Sequence, residues 1–283
     1  MTPLANRSLA QRIDALPVPA GSLALWALGQ SGFVIKGGDT VVYIDPYLSS
    51  YVDEAGYAPP GTFPRQFPPP LLPEEASNAH WVFCTHEHGD HTDPKTLGPL
   101  AQVAPHGRFI GPADSREILC TLGISEDRII VPPVDTPHTF GPLTFTAIPA
   151  AHYGLDRDAE GGFRWLGFII RLNGVTLYHA GDTILYDGLV ERLRKQPIDI
   201  ACLPVNGRDG WRERRGMIGS LDGREAAELA VAVSAEVLIP MHNDMFAANH
   251  VTPAILADFL DRTYPRQRCH WLQPGELYYY VRE

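Results

Sequence analysis

Three histidines and three carboxylates are crowded into residues 86–93: His86, Glu87, His88, Asp90, His91 and Asp93. They follow directly on Trp81-Val82-Phe83-Cys84, an apolar run that reads as a buried strand. A loop leaving a strand end can turn all of these side chains towards one point. Neutral imidazole nitrogens and carboxylate oxygens at this density match the ligand set of zinc or a similar divalent ion. There are more of them than one tetrahedral ion takes, so two ions fit the pattern. The bland alternative is a polar surface loop rich in histidine. It suits a lone histidine far better than His-x-His-x-Asp-His placed straight after a strand.

His86-x-His88-x-Asp90-His91 resembles the metal motif of the metallo-β-lactamase superfamily. The family pattern then expects a lone His after a strand, an Asp in a Gly-Asp turn and a His near the C-terminus. This chain offers Pro149-Ala150-Ala151-His152, Tyr178-His179-Ala180-Gly181-Asp182-Thr183 and Ile239-Pro240-Met241-His242, in that order. The resemblance implies that His86, His88 and His152 hold one metal, that Asp90, His91 and His242 hold the other, and that Asp182 bridges them. Asp90 and Asp182 are thereby also the candidate catalytic carboxylates. Two ions roughly 3.5–4 Å apart would acidify a water between them and polarise the bond under attack, giving hydrolysis without a protein nucleophile. Di-iron, flavoprotein-linked members of the superfamily carry Glu at the position of His88, so His there favours hydrolase chemistry over oxygen reduction. Glu87 is expected to point away from the metals.

Further stretches narrow the resemblance to the L-ascorbate-6-phosphate lactonase group: Trp26 to Phe33, Tyr43 to Leu48, Pro204 to Asp209 and Ile239 to Phe246. That group implies manganese and a phosphorylated lactone. Asn206, Arg208, Arg212 and Arg215 are the candidates for binding an anionic substrate, because a planar guanidinium grips phosphate or carboxylate oxygens in pairs. Arg214 with Glu213 is left to solvent. The group has Asn-rich sequence where this chain has Gly216 and Ser220, so the substrate is less defined than the chemistry. A mixed His/carboxylate set accepts both Zn²⁺ and Mn²⁺.

The elements that must position these residues can be read in order. A short helix is expected over 9–16, then three strands over 23–28, 32–36 and 40–45, with Gly29-Gln30 and Gly37-Gly38 as turns. The third strand ends in Asp45, either a simple turn residue or an acceptor for the second N–H of a metal-bound histidine; the superfamily resemblance favours the acceptor. Residues 49–75 carry seven prolines interleaved with Tyr51, Tyr57, Phe63 and Phe67. That density excludes helix and central strand. The segment over 51–75 is expected to fold over the site as a lid or insertion, with aromatic contacts and Arg65.

Downstream, helices are expected over 94–103, 114–122, 187–194, 222–234 and 253–262, with Asp222 and Glu225 forming a capping box. Strands are expected over 108–110, 128–131, 143–148, 163–172, 175–179, 198–203, 237–239, 268–272 and 276–281, Asn173-Gly174 closing a hairpin. Counted alone, these elements say α/β or α+β. The resemblance implies one domain over 1–283, a four-layer αββα sandwich of two mixed β-sheets flanked by helices. His179, just before the Gly-Asp turn, is expected behind the ligands or beside the substrate. His80, His106, His138, His250 and His270 read as ordinary structural or surface histidines.

The chain has 283 residues, 45% hydrophobic and 20% charged, enough for a sizeable core without disulfides. Its net charge of -10 repels polyphosphate backbones, so nucleic acid is a poor partner. Cys84, Cys120, Cys202 and Cys269 form no C-x-x-C pair, which suits a reducing compartment. No apolar run is long enough to span a bilayer and Gly residues break the stretch from Ala20, so a cytoplasmic, non-membrane protein is expected. A homo-oligomer is left open. The expected function is metal-dependent opening of a small anionic lactone or ester. The competing readings are a phosphodiesterase of the same fold, either nuclease or phospholipase-like, and a non-catalytic binding protein.

Overall fold

The computed structural model describes residues 7–56, 61–215 and 217–282. Tyr57 and Gly216, both named above, and two of the seven prolines, Pro59 and Pro60, lie outside them. Fourteen strands are found among the described residues: β1 (Ser22–Gly29), β2 (Gly32–Gly37), β3 (Thr40–Ile44), β4 (Trp81–Phe83), β5 (Arg108–Ile110), β6 (Ile129–Ile130) and β7 (Pro137–Phe140), then β8 (Leu143–Pro149), β9 (Leu166–Leu172), β10 (Val175–His179), β11 (Ile200–Pro204), β12 (Val237–Met241), β13 (Arg268–Cys269) and β14 (Leu277–Val281). One sheet runs β14-β1-β2-β3-β4-β5-β6 and the other β13-β12-β11-β10-β9-β8-β7. Each is antiparallel where hairpins connect its strands and parallel from β3 to β6 and from β10 to β13, where the chain crosses over. These are the two mixed sheets of the expected sandwich.

Burial explains why periodicity alone could not name this fold. Every residue of β1 is buried, because both faces of its sheet are covered. Leu23, Leu25 and Ala27 face the other sheet and join Phe33, Ile35, Phe83, Phe145, Phe168 and Leu177 in the central core. Ala24, Trp26 and Leu28 point to the opposite side and pack with Leu97, Leu100 and Leu119 of helices Pro94–Val103 and Ala113–Thr121. On the second sheet helices Gly223–Ala232 and Pro253–Thr263 play that part, through Ala226, Leu229, Leu256 and Leu260.

Local signals read from sequence act as expected. Asp93 caps its helix by accepting from Lys95 N, Asp222 and Glu225 form the capping box, and Asn173-Gly174 turns with both φ angles positive. Three features differ. Residues Tyr51–Glu54 form a short helix, since the proline density of the 49–75 segment begins only after them. Strand β7 was not expected; it starts on a proline at a sheet edge, where the missing N–H costs no ladder bond. Residues 163–165, expected to be strand, precede β9 because Arg164 and Trp165 turn to the metal loop. Among the described residues no helix is long and apolar enough to cross a membrane.

Candidate metal centre

Strands β3, β4, β8, β10 and β12 all run towards the same edge of the sandwich, and each releases a polar side chain there. After β4 the chain makes a tight turn, with His91 N and Thr92 N donating to His88 O at 2.9 and 2.8 Å. That turn throws His86, His88, Asp90 and His91 inwards. His152 follows β8, Asp182 follows β10 and His242 follows β12. Ligand atoms of His86, His88 and His152 lie within 4.8 Å of one another, as do those of Asp90, His91 and His242, and those of His86, His91 and Asp182.

Asp182 sits between the first two groups. Its Oδ2 is 3.8 Å from His152 Nε2 on one side, and 3.6 and 3.1 Å from His91 Nε2 and His242 Nε2 on the other. The donors fit a cation site on their own chemistry. His91 Nε2 and Asp182 Oδ1 are buried without a hydrogen-bond partner, and His86 Nε2 meets His88 Nδ1 at 3.0 Å, two nitrogens that a shared cation would satisfy together. These seven residues could hold divalent metal.

The electrostatics separate the two groups. Burial, reinforced by His91 and His88, pushes His86 well below the ordinary imidazole value, and burial takes His152 down to about 4. Both are therefore neutral and ready to ligate. Burial acts the same way on His91 and His242, but carboxylates outweigh it. Asp182, Asp90 and Asp45 hold His91 well above its ordinary value, and Asp182 and Asp90 raise His242 to about 9. In return, despite burial, His242 and His91 keep Asp182 well below the usual carboxylate range, and His91 and His242 do the same for Asp90. One buried and one half-buried carboxylate demand positive charge at this point; cations would take it over and release the protons.

Behind the donors, Asp45 accepts from Thr85 N (2.8 Å), Thr85 Oγ1 (2.7 Å) and His91 Nδ1 (2.7 Å). Because the Thr85 hydroxyl donates to Asp45, its 3.0 Å contact with His86 Nδ1 is one in which it accepts. One carboxylate thus fixes the tautomer and orientation of both His86 and His91, leaving each Nε2 aimed at the centre. His179 is fully buried: its Nε2 donates to Ser31 O at 2.8 Å and its Nδ1 accepts from Gly181 N at 3.2 Å. It steadies the turn that carries Asp182 and does not touch the cavity. Glu87 faces away from the centre, accepting from Trp165 Nε1 and Arg164 at 3.0 and 3.1 Å.

That turn leaves no room at Gly181, whose φ is +60°. A Cβ there would lie 2.7 Å from Leu166 O and 2.9 Å from Thr85 Cβ. Neither can retreat, since Leu166 N donates to Thr85 O at 2.9 Å. Gly181→Ala is expected to lose about 3 kcal/mol of stability from strain and overpacking together. Denaturant unfolding checks this; a midpoint equal to the parent's would show that the turn can yield.

His88, Asp90, His152, Asp182 and His242 form the floor of a cavity of about 220 Å³ walled by Val52, Phe63, Tyr153, Met217, Ile218, Phe246 and Asn249. The four residues expected to bind substrate do not line it. Arg208 and Arg215 are exposed, Arg215 stacking on Trp211 with its guanidinium 4.1 Å from the ring centre. Asn206 is buried beneath. Arg212 donates to Asn206 O at 2.8 Å and to Asn249 Oδ1 at 3.3 Å, and pairs with Asp209. It acts only through Asn249, which does reach the cavity. Arg212 and Arg215 spend their forks on backbone and neighbouring side chains. Arg65 likewise turns inwards, to Tyr47 O and Ser49 O at 2.9 and 3.0 Å. Val52 and Phe63 belong to the segment expected to cover the site; Tyr153, Met217 and Ile218 were missed, since they come from distant, individually unremarkable segments.

Residues 40–243 match the Beta-lactamase superfamily domain family. A UPF0173 metal-dependent hydrolase of Thermococcus kodakarensis is 27% identical over 223 residues, covering 76% of this chain and 82% of the relative. In structure, the chain is similar to Igni18, a metallo hydrolase from Ignicoccus hospitalis (TM-score 0.70, 20% identity, 92% of this chain and 98% of the other), and to an isothiocyanate hydrolase from Delia radicum gut bacteria (TM-score 0.71, 18% identity, 91% and 99%). The two mixed sheets, the strand-end donors at one edge and a family match that runs from β3 to the residue after His242 lead to one assignment: the chain belongs to the β-lactamase superfamily and has the metallo-β-lactamase fold.

Proposed function

We propose that this chain is a metal-dependent hydrolase that opens a small ester or lactone, with His86, His88, His152, Asp90, His91, His242 and Asp182 holding a pair of divalent ions. The observation that carries the reading is the convergence of these donors, His88, Asp90, His152, Asp182 and His242 among them opening onto the floor of a cavity with largely apolar walls. The hydrolase names of the curated relatives support it. When bound, the ions would supply Lewis acidity and a water acidic enough to attack near neutral pH.

The chain's own residues do the rest. Val52, Phe63, Met217, Ile218 and Phe246 grip an apolar group and exclude bulk water, which strengthens every polar contact at the floor. Tyr153 stands over His88 and His152, with ring centres 6.4 and 5.1 Å away, and closes one side. Arg212 orients the Asn249 carboxamide at the cavity wall. Residues 51–56 and 61–72 serve as the lid: Val52 and Phe63 cover the cavity, Phe63 packs on Phe246, and Arg65 pins the segment to the core. No Lys or Arg is among the described residues of the lining, so the reading keeps the ring-opening or ester-cleaving chemistry and leaves aside the phosphate of the lactonase resemblance.

A substrate panel tests this. Protein reconstituted with Zn²⁺ or with Mn²⁺ is assayed on alkyl-substituted lactones, aryl esters, ascorbate 6-phosphate and an aryl phosphodiester. The uncharged lactones or esters are expected to show kcat/KM at least about tenfold above the phosphorylated lactone, the worth of one well-buried apolar group. Turnover of the phosphodiester alone would replace this reading with the phosphodiesterase one.

A further inference from the structure

Gln30 lies in the β1–β2 turn, where its sequence context suggested only a change of direction. The structure gives it a φ of +55°, which an ordinary side chain adopts at a cost. Both of its backbone groups are tied to the far side of the site: Gln30 N donates to Asp244 Oδ1 at 2.8 Å, and Gln30 O accepts from His242 N at 2.8 Å. The side chain is 3% exposed and points into the donor cluster. Its Nε2 is 2.7 Å from Asp90 Oδ2 and 2.9 Å from His242 Nε2, two atoms that are themselves 3.6 Å apart. Its Oε1 is buried with no partner at all. A strained backbone holding a buried carboxamide, half of it unsatisfied, against two of the candidate ligands has no packing rationale.

We infer that Gln30 is a further metal donor, supplying its Oε1 to the cation held by Asp90, His91, His242 and Asp182. With a cation present, the amide N–H groups would face positive charge. Half a turn about the Cγ–Cδ bond exchanges them for the orphaned oxygen, without moving the backbone that Asp244 and His242 fix. The two cation positions then differ in kind. The group of His86, His88 and His152 is nitrogen-rich, whereas the other gains a neutral oxygen beside two carboxylates. Oxygen-rich sets with more than four donors favour Mn²⁺ over Zn²⁺ relative to an imidazole set. The inference rests on the proposed metal-holding role of the seven residues.

The test is metal binding by the full chain, stripped with chelator and titrated with Mn²⁺ and with Zn²⁺, read by calorimetry and by loss of the free Mn²⁺ electron-spin signal. Gln30→Glu separates direct ligation from a merely supporting hydrogen bond, because the two predict opposite signs. As a ligand, the added carboxylate tightens Mn²⁺ binding at one site about tenfold through its charge. As a donor to Asp90, it loses the N–H, repels the carboxylate and weakens binding. Gln30→Leu is expected to weaken Mn²⁺ at the same site about tenfold and Zn²⁺ less, with an unchanged circular dichroism spectrum. Should the Leu variant fail to fold, the Glu variant carries the test alone. Unchanged or weaker Mn²⁺ binding in Gln30→Glu overturns this inference only. A parent chain that binds neither ion overturns the proposed function with it.

Discussion

Asp182→Asn is expected to lower kcat/KM on the best ester or lactone on the order of a thousandfold, about 4 kcal/mol of transition-state stabilisation. The side chain keeps its size, so the fold is spared. What changes is the carboxylate that reaches both donor groups, 3.8 Å from His152 and 3.1 Å from His242. Asparagine removes the charge that raises His91 and His242, and puts an NH₂ where one of the oxygens stood. The metal-to-protein ratio after dialysis should fall with the activity. Activity within tenfold of the parent, at full metal content, would remove Asp182 from the reaction.

The second large effect is expected at a residue that touches neither cavity nor metal. Asp45→Ala strips the acceptor from His91 Nδ1, Thr85 N and Thr85 Oγ1, all of them buried. Leaving buried donors unpaired costs about 3 kcal/mol, and releasing the ring orientation of His86 and His91 lowers metal affinity about 10–100-fold. Both are measurable on one sample, as a lowered unfolding midpoint without metal and a weakened binding constant with it. Asp45→Asn, which keeps one acceptor, should fall between. A stability loss with unaltered metal affinity would make Asp45 part of the fold alone. Its own φ of +43° suggests the reverse, a strained position maintained for what it holds.

The floor of the site was legible because its donors are chemically rare and locally spaced. Four lie within His86 to His91, and His152, Asp182 and His242 each close a readable strand. The walls were legible only in part: Val52 and Phe63 belong to the proline-rich segment expected over the site, whereas Met217, Ile218 and Phe246 are ordinary apolar letters whose meeting depends on the path of separate loops. Arg212 and Arg215 donate to Asn206 O and Trp211 O, and sequence does not tell a guanidinium that caps carbonyls from one that grips a substrate. Gln30 was hidden in the same way, its Gly-flanked position announcing a turn and concealing the side chain's destination. In the fold, alternation failed wherever both faces of a sheet are covered, as in β1, while caps and hairpin turns, which depend on neighbours only, were read correctly.

Strand β14 pairs with β1 from Ser22 opposite Val281 to Trp26 opposite Leu277. The strand whose far end carries Gln30 is thus zipped to the last strand of the chain, while β2 zips to its other side. One edge of β1 stays bare until residues 277–281 have been made. Such a pairing, joining segments some 250 residues apart, is slow to form and leaves a sticky edge in the interim. The edge that carries Gln30 is therefore coupled to the most sequence-distant seam of its sheet, and the basin beside it is complete only once that seam has closed.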